Sequence, residues 1–514
     1  MLTLSFTIQA IEDNTTADLA DGLNIYRHGI LPSGKKLTAI VADDIAVSGK
    51  QFSCTNCHGR SGMGTIEGNY IVPPIAGFLL FSDSNQPVRS AYNEVSLARL
   101  LRTGINSDGK TVDKLMPRFV LTDSEISELT KYLKNLSSKE SPGIDSQVIR
   151  LATVVTDDVS PELVQSVHQV LQSYIEEKNR QTRLESRRPN RGKKPELRSA
   201  SLFRKWSLDV WRLKGPQSSW KTQLENYYLK QPVFALLGGL STKSWRPIGN
   251  FCETNEIPCM FPSTDFYGGN DQNFYTYHFS QGLELEAKLI ADQISDNKAS
   301  QVVQVSCQGL ASEASKILDR ELARQEIKTR SLNVDCDNPK IEHLVSQLNQ
   351  FKTDSAVLWL DRQTLDLLIG KLSFDRIYTS STLLKQKLNL PVASVEKNIF
   401  VAHPYRLPNQ YDSALSRFKI WAKLRKIKIT NLRYQAEAFF ACLAMKDALS
   451  HIRRHRVRDY LLDVLDHSQG LELYLPIYPR PTLGPGQRFL TKGGYILPIV
   501  AGETDSKNAV WLTP

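Results

Sequence analysis

The chain has 514 residues, 41% of them hydrophobic, and a formal net charge of +10. That length is enough for about three domain-sized cores. No apolar run reaches the roughly 18 residues that a membrane-spanning helix requires, so we expect no transmembrane segment. The charge is concentrated: residues 178–214 hold thirteen Lys or Arg against three acids, an excess equal to the charge of the whole chain.

In chain order, residues 1–15 carry a short apolar run without a basic start, shorter than a full signal peptide of about 15–30 residues, and read as a leader or signal remnant. Cys54-Thr55-Asn56-Cys57-His58 follows. Two thiols across a two-residue gap, with a histidine next, form the attachment pattern of a c-type haem. Each thiol adds to one vinyl group of the same porphyrin edge, and the imidazole falls under the iron as an axial ligand. The plainer readings are a zinc half-site, which wants a second Cys or His pair nearby, and a redox Cys-x-x-C, which wants a βαβ setting. Neither context is present.

The surroundings bear on the same chemistry. Asp21-Gly22-Leu23-Asn24-Ile25-Tyr26 reads as a first helix. Gly59-Arg60-Ser61-Gly62-Met63-Gly64 makes a tight loop, and Val72-Pro73-Pro74-Ile75-Ala76-Gly77 a second. Residues 96–102 form a helix ended by Gly104. Leu115-Met116-Pro117-Arg118-Phe119 precedes Thr122-Asp123-Ser124-Glu125, an N-cap with acids in the first turn. Ile126, Leu129, Tyr132, Leu133 and Leu136 then form one apolar stripe. Residues 31–49 form a surface excursion with two short strands.

Residues 16–138 resemble a class I cytochrome c on these motifs. The resemblance implies an all-α domain with one covalent haem c on Cys54 and Cys57. It also implies His58 and Met116 as axial iron ligands, with a proline carbonyl orienting His58. Met63 and His28 compete with Met116 for the sixth position. Covalent attachment implies export to the periplasm.

Five further cysteines remain. Cys307 and Cys336 end two strand-like runs and are bridgeable if those strands are neighbours. Cys252 and Cys259 flank a turn and are also bridgeable. The alternative for all is a buried free thiol, which Cys442 in an apolar helix suits best.

Residues 139–147 read as a linker. Beyond it strands and helices alternate: strands at 148–155, 206–213, 233–237, 257–261, 301–306, 327–335 and 356–360, and helices at 161–177, 218–229, 245–252, 283–294, 312–325, 341–350 and 434–449. Such alternation means parallel sheets with helices on both faces, here in two successive runs. Residues 148–514, and especially the stretch VFALLGGLSTKSWRPIGNFCETNEIPCMFPSTD, resemble the type I periplasmic binding proteins of the branched-chain amino acid class. The resemblance implies a bilobal α/β domain with a hinge near 278–282 and a small carboxylate-bearing solute. That solute is held at helix starts by Ser241, Thr242, Ser263 and Thr264. Cys307-Gln308-Gly309-Leu310 departs from the family's aromatic position, and Asp361 is the candidate acid for a ligand amino group.

There is no dinucleotide fingerprint, P-loop or nucleophile elbow. The basic segment reads as a dock for an acidic redox partner or an anionic membrane surface, with a solvated insertion as the plainer reading. Nucleic acid is not an expected partner. A second basic run, residues 451–458, reads as an exposed helix end. The whole is a multidomain chain expected to be a non-enzymatic one-electron carrier with a periplasmic redox partner and a fused binding domain. The alternative is a solute receptor in which haem senses redox state or gas. A haem peroxidase is disfavoured by a sixth ligand.

Overall fold

The helix Ala20–His28 ends at Gly29, whose φ of 61° lets its N–H return to the carbonyls of Asn24 and Ile25. The helix Asp123–Asn135 begins with a reciprocal cap: Thr122 Oγ1 accepts from the Glu125 N–H, and the Glu125 carboxylate accepts from the Thr122 N–H at 2.8 Å. The two helices cross at Gly22, where a Cβ would lie 2.3 Å from the Glu128 carbonyl oxygen. Tyr26 and Tyr132 pack beside that crossing with ring centroids 5.3 Å apart. A third helix, Glu94–Thr103, is capped by Asn93 and Ser96 and stops at Gly104. Ile25, Leu97, Leu100, Ile126, Leu129 and Leu133 are buried between them, and each such side chain contributes about 1.5–3 kcal/mol of transfer free energy.

Short strands complete this part: β1 (Thr38–Val41), β2 (Ile45–Ser48), β3 (Thr65–Glu67), β4 (Tyr70–Val72), β5 (Ser84–Asn85), β6 (Val88–Arg89) and β7 (Arg118–Phe119). β1 lies between β2 and β7, antiparallel to both, while β3–β4 and β5–β6 form hairpins. The expectation of an all-α domain is therefore corrected to helices with small antiparallel sheets. The excursion before the haem motif carries Ile40, Val41, Ile45 and Val47, which favour strand. Their paired backbone groups are satisfied without a helix.

This computed structural model describes residues 18–42, 44–67, 70–85, 88–187, 204–268, 273–391, 398–452, 455–468 and 477–514. The chain divides into two compact units: Met1–Ser141 with Leu449–Val464, and Pro142–Ala448 with Leu465–Pro514. Leu449–Val464 thus joins the haem-motif unit, although it lies far along the chain. Polar contacts hold it there. The Ser141 N–H donates to the Arg456 carbonyl at 3.1 Å, and the Arg458 N–H to Ser141 Oγ at 2.9 Å. Arg456 lies 3.4 Å from Glu140. Arg456 and Arg458 are buried, which corrects the reading of residues 451–458 as an exposed helix end.

The second unit contains two sheets. β8 (Val148–Thr156), a β-branched run, pairs in parallel with β9 (Lys205–Leu213) along its whole length, from Val148 beside Lys205 to Thr156 beside Leu213. β10 (Ala235–Leu237), β11 (Leu240–Ser241), β12 (Cys259–Met260), β13 (Ser263–Thr264) and β14 (Thr276–Tyr277) extend that parallel sheet. In the other sheet β15 (Gln301–Cys307), β16 (Lys328–Val334), β17 (Ser355–Trp359), β18 (Arg376–Ser380) and β19 (Asn398–His403) are parallel. β20 (Gly494–Val500), β21 (Glu503–Thr504) and β22 (Val510–Leu512) close it antiparallel. Helices such as Leu283–Asp296 and Leu310–Arg324 cover the second sheet with buried aliphatic faces.

Cys307 and Cys336 form a disulfide with Cα atoms 5.5 Å apart, because β15 and β16 are neighbours in register. Cys252, Cys259 and Cys442 are buried. The helix expected at 161–177 runs on as Pro161–Arg187. Of the basic segment, Lys178 donates to the Arg204 carbonyl and lies 5.1 Å from the Trp206 ring centre. Arg188, Lys193 and Lys194 lie outside the described residues. Among the described residues, no helix is long and apolar enough to cross a membrane.

Candidate functional site

Cys57 and His58 sit on a one-turn helix, Thr55–His58, with Cys54 at its start. Cys54 and Cys57 are three apart and so share a face. Cys54 is half-buried and Cys57 exposed. The Asn56 side chain ties this turn to the carbonyls of Lys50 and Gln51 at 2.9 and 2.8 Å.

Two loops then aim the imidazole. The Gly64 N–H donates to the His58 carbonyl at 3.0 Å, and the N–H groups of Ile75 and Ala76 donate to the Gly62 carbonyl at 2.7 and 2.9 Å. Gly64 has φ 75°, and a Cβ there would lie 2.2 Å from the Val72 carbonyl oxygen. This clamp places the Pro73 carbonyl oxygen 2.9 Å from His58 Nδ1. A proton on Nδ1 given to that oxygen leaves the Nε2 lone pair for a metal. Burial lowers the His58 pKa, which keeps the ring neutral, as ligation requires.

Met116 lies in an Asp113-anchored turn: the Leu115 N–H donates to Asp113 Oδ1 at 2.9 Å, and the Met116 N–H to the Asp113 carbonyl at 3.1 Å. Arg118 donates to the Met116 carbonyl. Met116 and Cys54 pack against the same apolar core. Of its competitors, Met63 is tied through its N–H to Ser61 Oγ at 3.2 Å. The pKa of His28 is lowered by burial and by Arg60, Lys50 and Arg27.

The donor set and its rim fit a haem c. A thiol pair and a pre-oriented imidazole share one turn. On the β3–β4 hairpin, which is tied to the motif by the Thr65 hydroxyl donating to the Cys57 carbonyl at 3.2 Å, Ile66, Tyr70 and Ile71 are 73%, 60% and 75% exposed, and Leu115 beside Met116 is 61% exposed. A run of exposed aliphatic and aromatic side chains beside a ligand set is the apolar surface a macrocycle covers. Bound there, the haem supplies a one-electron iron couple. If Met116 is the sixth ligand, Met116→Ala should abolish the weak far-red thioether-to-ferric charge-transfer band while leaving the pigment attached. An absorption spectrum of the oxidised variant checks this, and a retained band would move the assignment to Met63.

Three carboxyl groups gain roles that sequence reading missed. Asp463 is buried against this loop and accepts from the Arg60 and Ser61 N–H groups at 3.1 and 2.9 Å. Asp459, one helical turn earlier, pairs with Arg27 at 2.9 Å and lies 3.6 Å from Arg60. In the second unit Glu286 is buried among Ser380, Ser381 and Thr382. The acids at 459 and 463 keep a helical period, but nothing local in the sequence signals a partner four hundred residues away.

The four residues assigned to a solute come together, but Ser241, Ser263 and Thr264 lie on strands and not at the helix starts expected of them. β11 and β13 are parallel neighbours, with Leu240 beside Ser263 and Ser241 beside Thr264. The side-chain hydroxyls of Ser241, Thr242 and Thr264 already have partners within the chain. Ser241 Oγ donates to the Lys243 carbonyl at 3.1 Å, and Thr264 Oγ1 to the Phe266 carbonyl at 3.1 Å. The Thr242 N–H donates to the Asp158 carboxylate at 2.8 Å, and its hydroxyl donates there too. Burial raises the Asp158 pKa, but hydrogen bonds from Thr156 and Thr242 outweigh it, so the net shift is downward. Asp361 caps the helix Arg362–Leu368 by accepting from the Thr364 N–H at 2.8 Å.

Against known proteins, residues 46–137 match the cytochrome c family model, so the chain carries a cytochrome c domain. No curated protein sequence matches the chain. Among solved structures it is similar to a branched-chain amino acid ABC transporter protein from Thermus thermophilus with bound valine. That match has 9% identity and a TM-score of 0.51, and covers 70% of this chain and 96% of the other. A branched-chain amino acid transporter substrate-binding protein from Streptococcus pneumoniae, in complex with isoleucine, matches at 11% identity and TM-score 0.49, covering 72% and 100%. A fatty acid ABC transporter substrate-binding protein from Thermomonospora curvata matches at 17% identity and TM-score 0.48, covering 73% and 94%. The α/β part of the chain therefore has the fold of the periplasmic binding proteins.

Proposed function

We propose that this chain is an exported electron-transfer protein. It holds one haem c on Cys54 and Cys57, with His58 and Met116 as axial ligands. The observation that carries the reading is the 2.9 Å contact from His58 Nδ1 to the Pro73 carbonyl oxygen, on the same turn as both thiols. It fixes the tautomer and leaves Nε2 for iron. A thioether opposite an imidazole favours the ferrous state, which suits a carrier that accepts and passes single electrons. The work is done in the periplasm with a partner protein, and the basic segment at 178–214 supplies a field that speeds encounter with an acidic one.

The α/β unit takes a small carboxylate-bearing solute, or the redox partner itself. Valine, bound in the Thermus thermophilus protein, is a solute of that kind. Ser241, Thr242, Ser263 and Thr264 are the residues proposed for it, with the Asp158 carboxylate marking on Thr242 where an anionic group sits. A solute carboxylate displaces Asp158 from these donors, so binding is tied to a local rearrangement.

Spectroelectrochemical titration tests the carrier reading against one in which the haem senses a solute of the α/β unit. A single one-electron Nernst curve that stays in place with amino acids or other carboxylates added is the expected result. A solute that displaces the midpoint would make the haem a sensor of the α/β unit, and the absence of a one-electron wave would remove the carrier reading.

A further inference from the structure

We propose that Asp463, contributed by the distal segment Leu449–Val464, is a redox-linked proton acceptor of the haem site. The proposal rests on the haem c reading above.

The geometry is a built carboxylate site. Both Asp463 oxygens are engaged by the loop directly after the motif, Oδ1 by the Arg60 N–H at 3.1 Å and Oδ2 by the Ser61 N–H at 2.9 Å. Approach is so close that a Cβ on Gly59 would lie 2.7 Å from Asp463 Oδ2. Gly59 has φ 73°, which other residues adopt only with strain. On the other side of Gly59, the Tyr26 hydroxyl donates to its carbonyl oxygen at 2.8 Å. The carboxylate is thus hydrogen-bonded to the backbone that continues from His58, and a change in its charge is felt by the loop that carries that ligand.

The groups facing Asp463 set its proton affinity. Asp459 and Tyr460 come from its own helix, Arg60 and Ser61 from the loop, and Tyr26 and Arg27 from the first helix. Arg27 and Arg60 are turned to Asp459, so their charge is shared with that second acid. Burial, with a further push from Asp459, brings the Asp463 carboxyl up to about 6 against the pull of its bonds to Ser61 and Arg60. A buried acid poised there holds its proton at mildly acidic pH and releases it near neutrality.

As one electron leaves the ferrous iron for an external acceptor, the iron becomes ferric and Asp463 passes one proton to water. The carboxylate left behind offsets the added positive charge. In reverse, reduction draws a proton back. Repulsion by the ferric charge lowers the Asp463 pKa relative to the ferrous state, so the midpoint potential falls as pH rises between the two values and is flat outside them.

Midpoint titrations of the purified holoprotein from pH 4 to 8.5 test this. A tenfold difference in proton affinity between the two iron states, about 59 mV of midpoint shift, is the expected wave near pH 6. Asp463→Asn should flatten it, and Asp459→Asn should move it to lower pH by removing a neighbouring negative charge. If Asp463→Asn yields no folded protein, carbon NMR of labelled Asp carboxyls in the wild type replaces it: the Asp463 pKa must differ between reduced and oxidised protein. A pH-independent midpoint, a wave unchanged by Asp463→Asn, or an Asp463 pKa equal in both states overturns the proposal. Each outcome is read on protein whose pigment resists acidic acetone, so loss of the haem reading itself is recognised separately.

Discussion

Cys57→Ala should eliminate the stable holoprotein. Cys57 is exposed and lies on the turn that ends in His58, so its removal disturbs little of the apolar core. What it removes is one of the two proposed thioether bonds. The remaining thiol at Cys54 leaves a singly tethered macrocycle, and proper docking of His58 under the iron depends on the porphyrin edge being held at both ends. We expect pigment in purified Cys57→Ala to fall at least tenfold below wild type, and the Cys54→Ala, Cys57→Ala double variant to be colourless after acidic acetone. Absorbance of haem per polypeptide measures this. The fold should persist in far-ultraviolet circular dichroism, because the helix crossing at Gly22 and the caps at Asn93 and Thr122 are untouched.

The second large effect belongs to the α/β unit. Glu286 accepts hydrogen bonds from Ser381 Oγ at 3.2 Å and from the Thr382 N–H and hydroxyl at 3.1 and 2.9 Å, with Ser380 as a further donor. The network continues from Thr382 to the Tyr405 hydroxyl at 2.9 Å. Arg433 lies over the Tyr405 ring and pairs with Asp265 and Glu437 at 2.8 and 2.9 Å. Burial pushes the Glu286 carboxyl from an ordinary 4.5 up to about 7, and the hydrogen bonds oppose this only in part. Between those values the native chain holds a proton that the unfolded chain has lost. Its contribution to stability is therefore whole below pH 4.5, declines as pH rises, and is gone above about 7. The span corresponds to about 3 kcal/mol. Glu286→Gln should hold stability level across this interval, so that the variant overtakes wild type toward pH 8. Buried His278 and His403, held down to about 3 and about 4 by burial, act in the opposite sense as pH falls below 6.5, and they are common to both proteins. Denaturant midpoints at four pH values decide it: parallel curves would mean that Glu286 is ionised or paired in the native state.

These examples show what a sequence discloses and what it hides. The thiol pair, His58 and the proline loop are local in the chain, and their chemistry demands fixed spacing. Helix ends were less visible. The helix Pro161–Arg187 runs ten residues beyond its apolar period because Glu, Lys, Arg and Gln sustain a helix without burying a face. Among the strands of the haem-motif unit β7 is paired at long range, and Phe119 finds Ala39 only in three dimensions. Asp463 and Asp459 lie four hundred residues from their partners, and Asp158 meets Thr242 only when β8 and β11 share a sheet. A sequence ranks residue types and periods, while partner choice between distant acids and backbone amides is settled by the packed chain.

Cys54 and Cys57 are proposed to bind one haem covalently. Intact mass of the purified wild-type protein, taken after acid denaturation and removal of free pigment, tests it most directly. A polypeptide heavier than its sequence by one haem, with the added mass mapping to a peptide containing both cysteines, is the predicted result. A polypeptide at its bare sequence mass, with the pigment recovered in the extract, would contradict it.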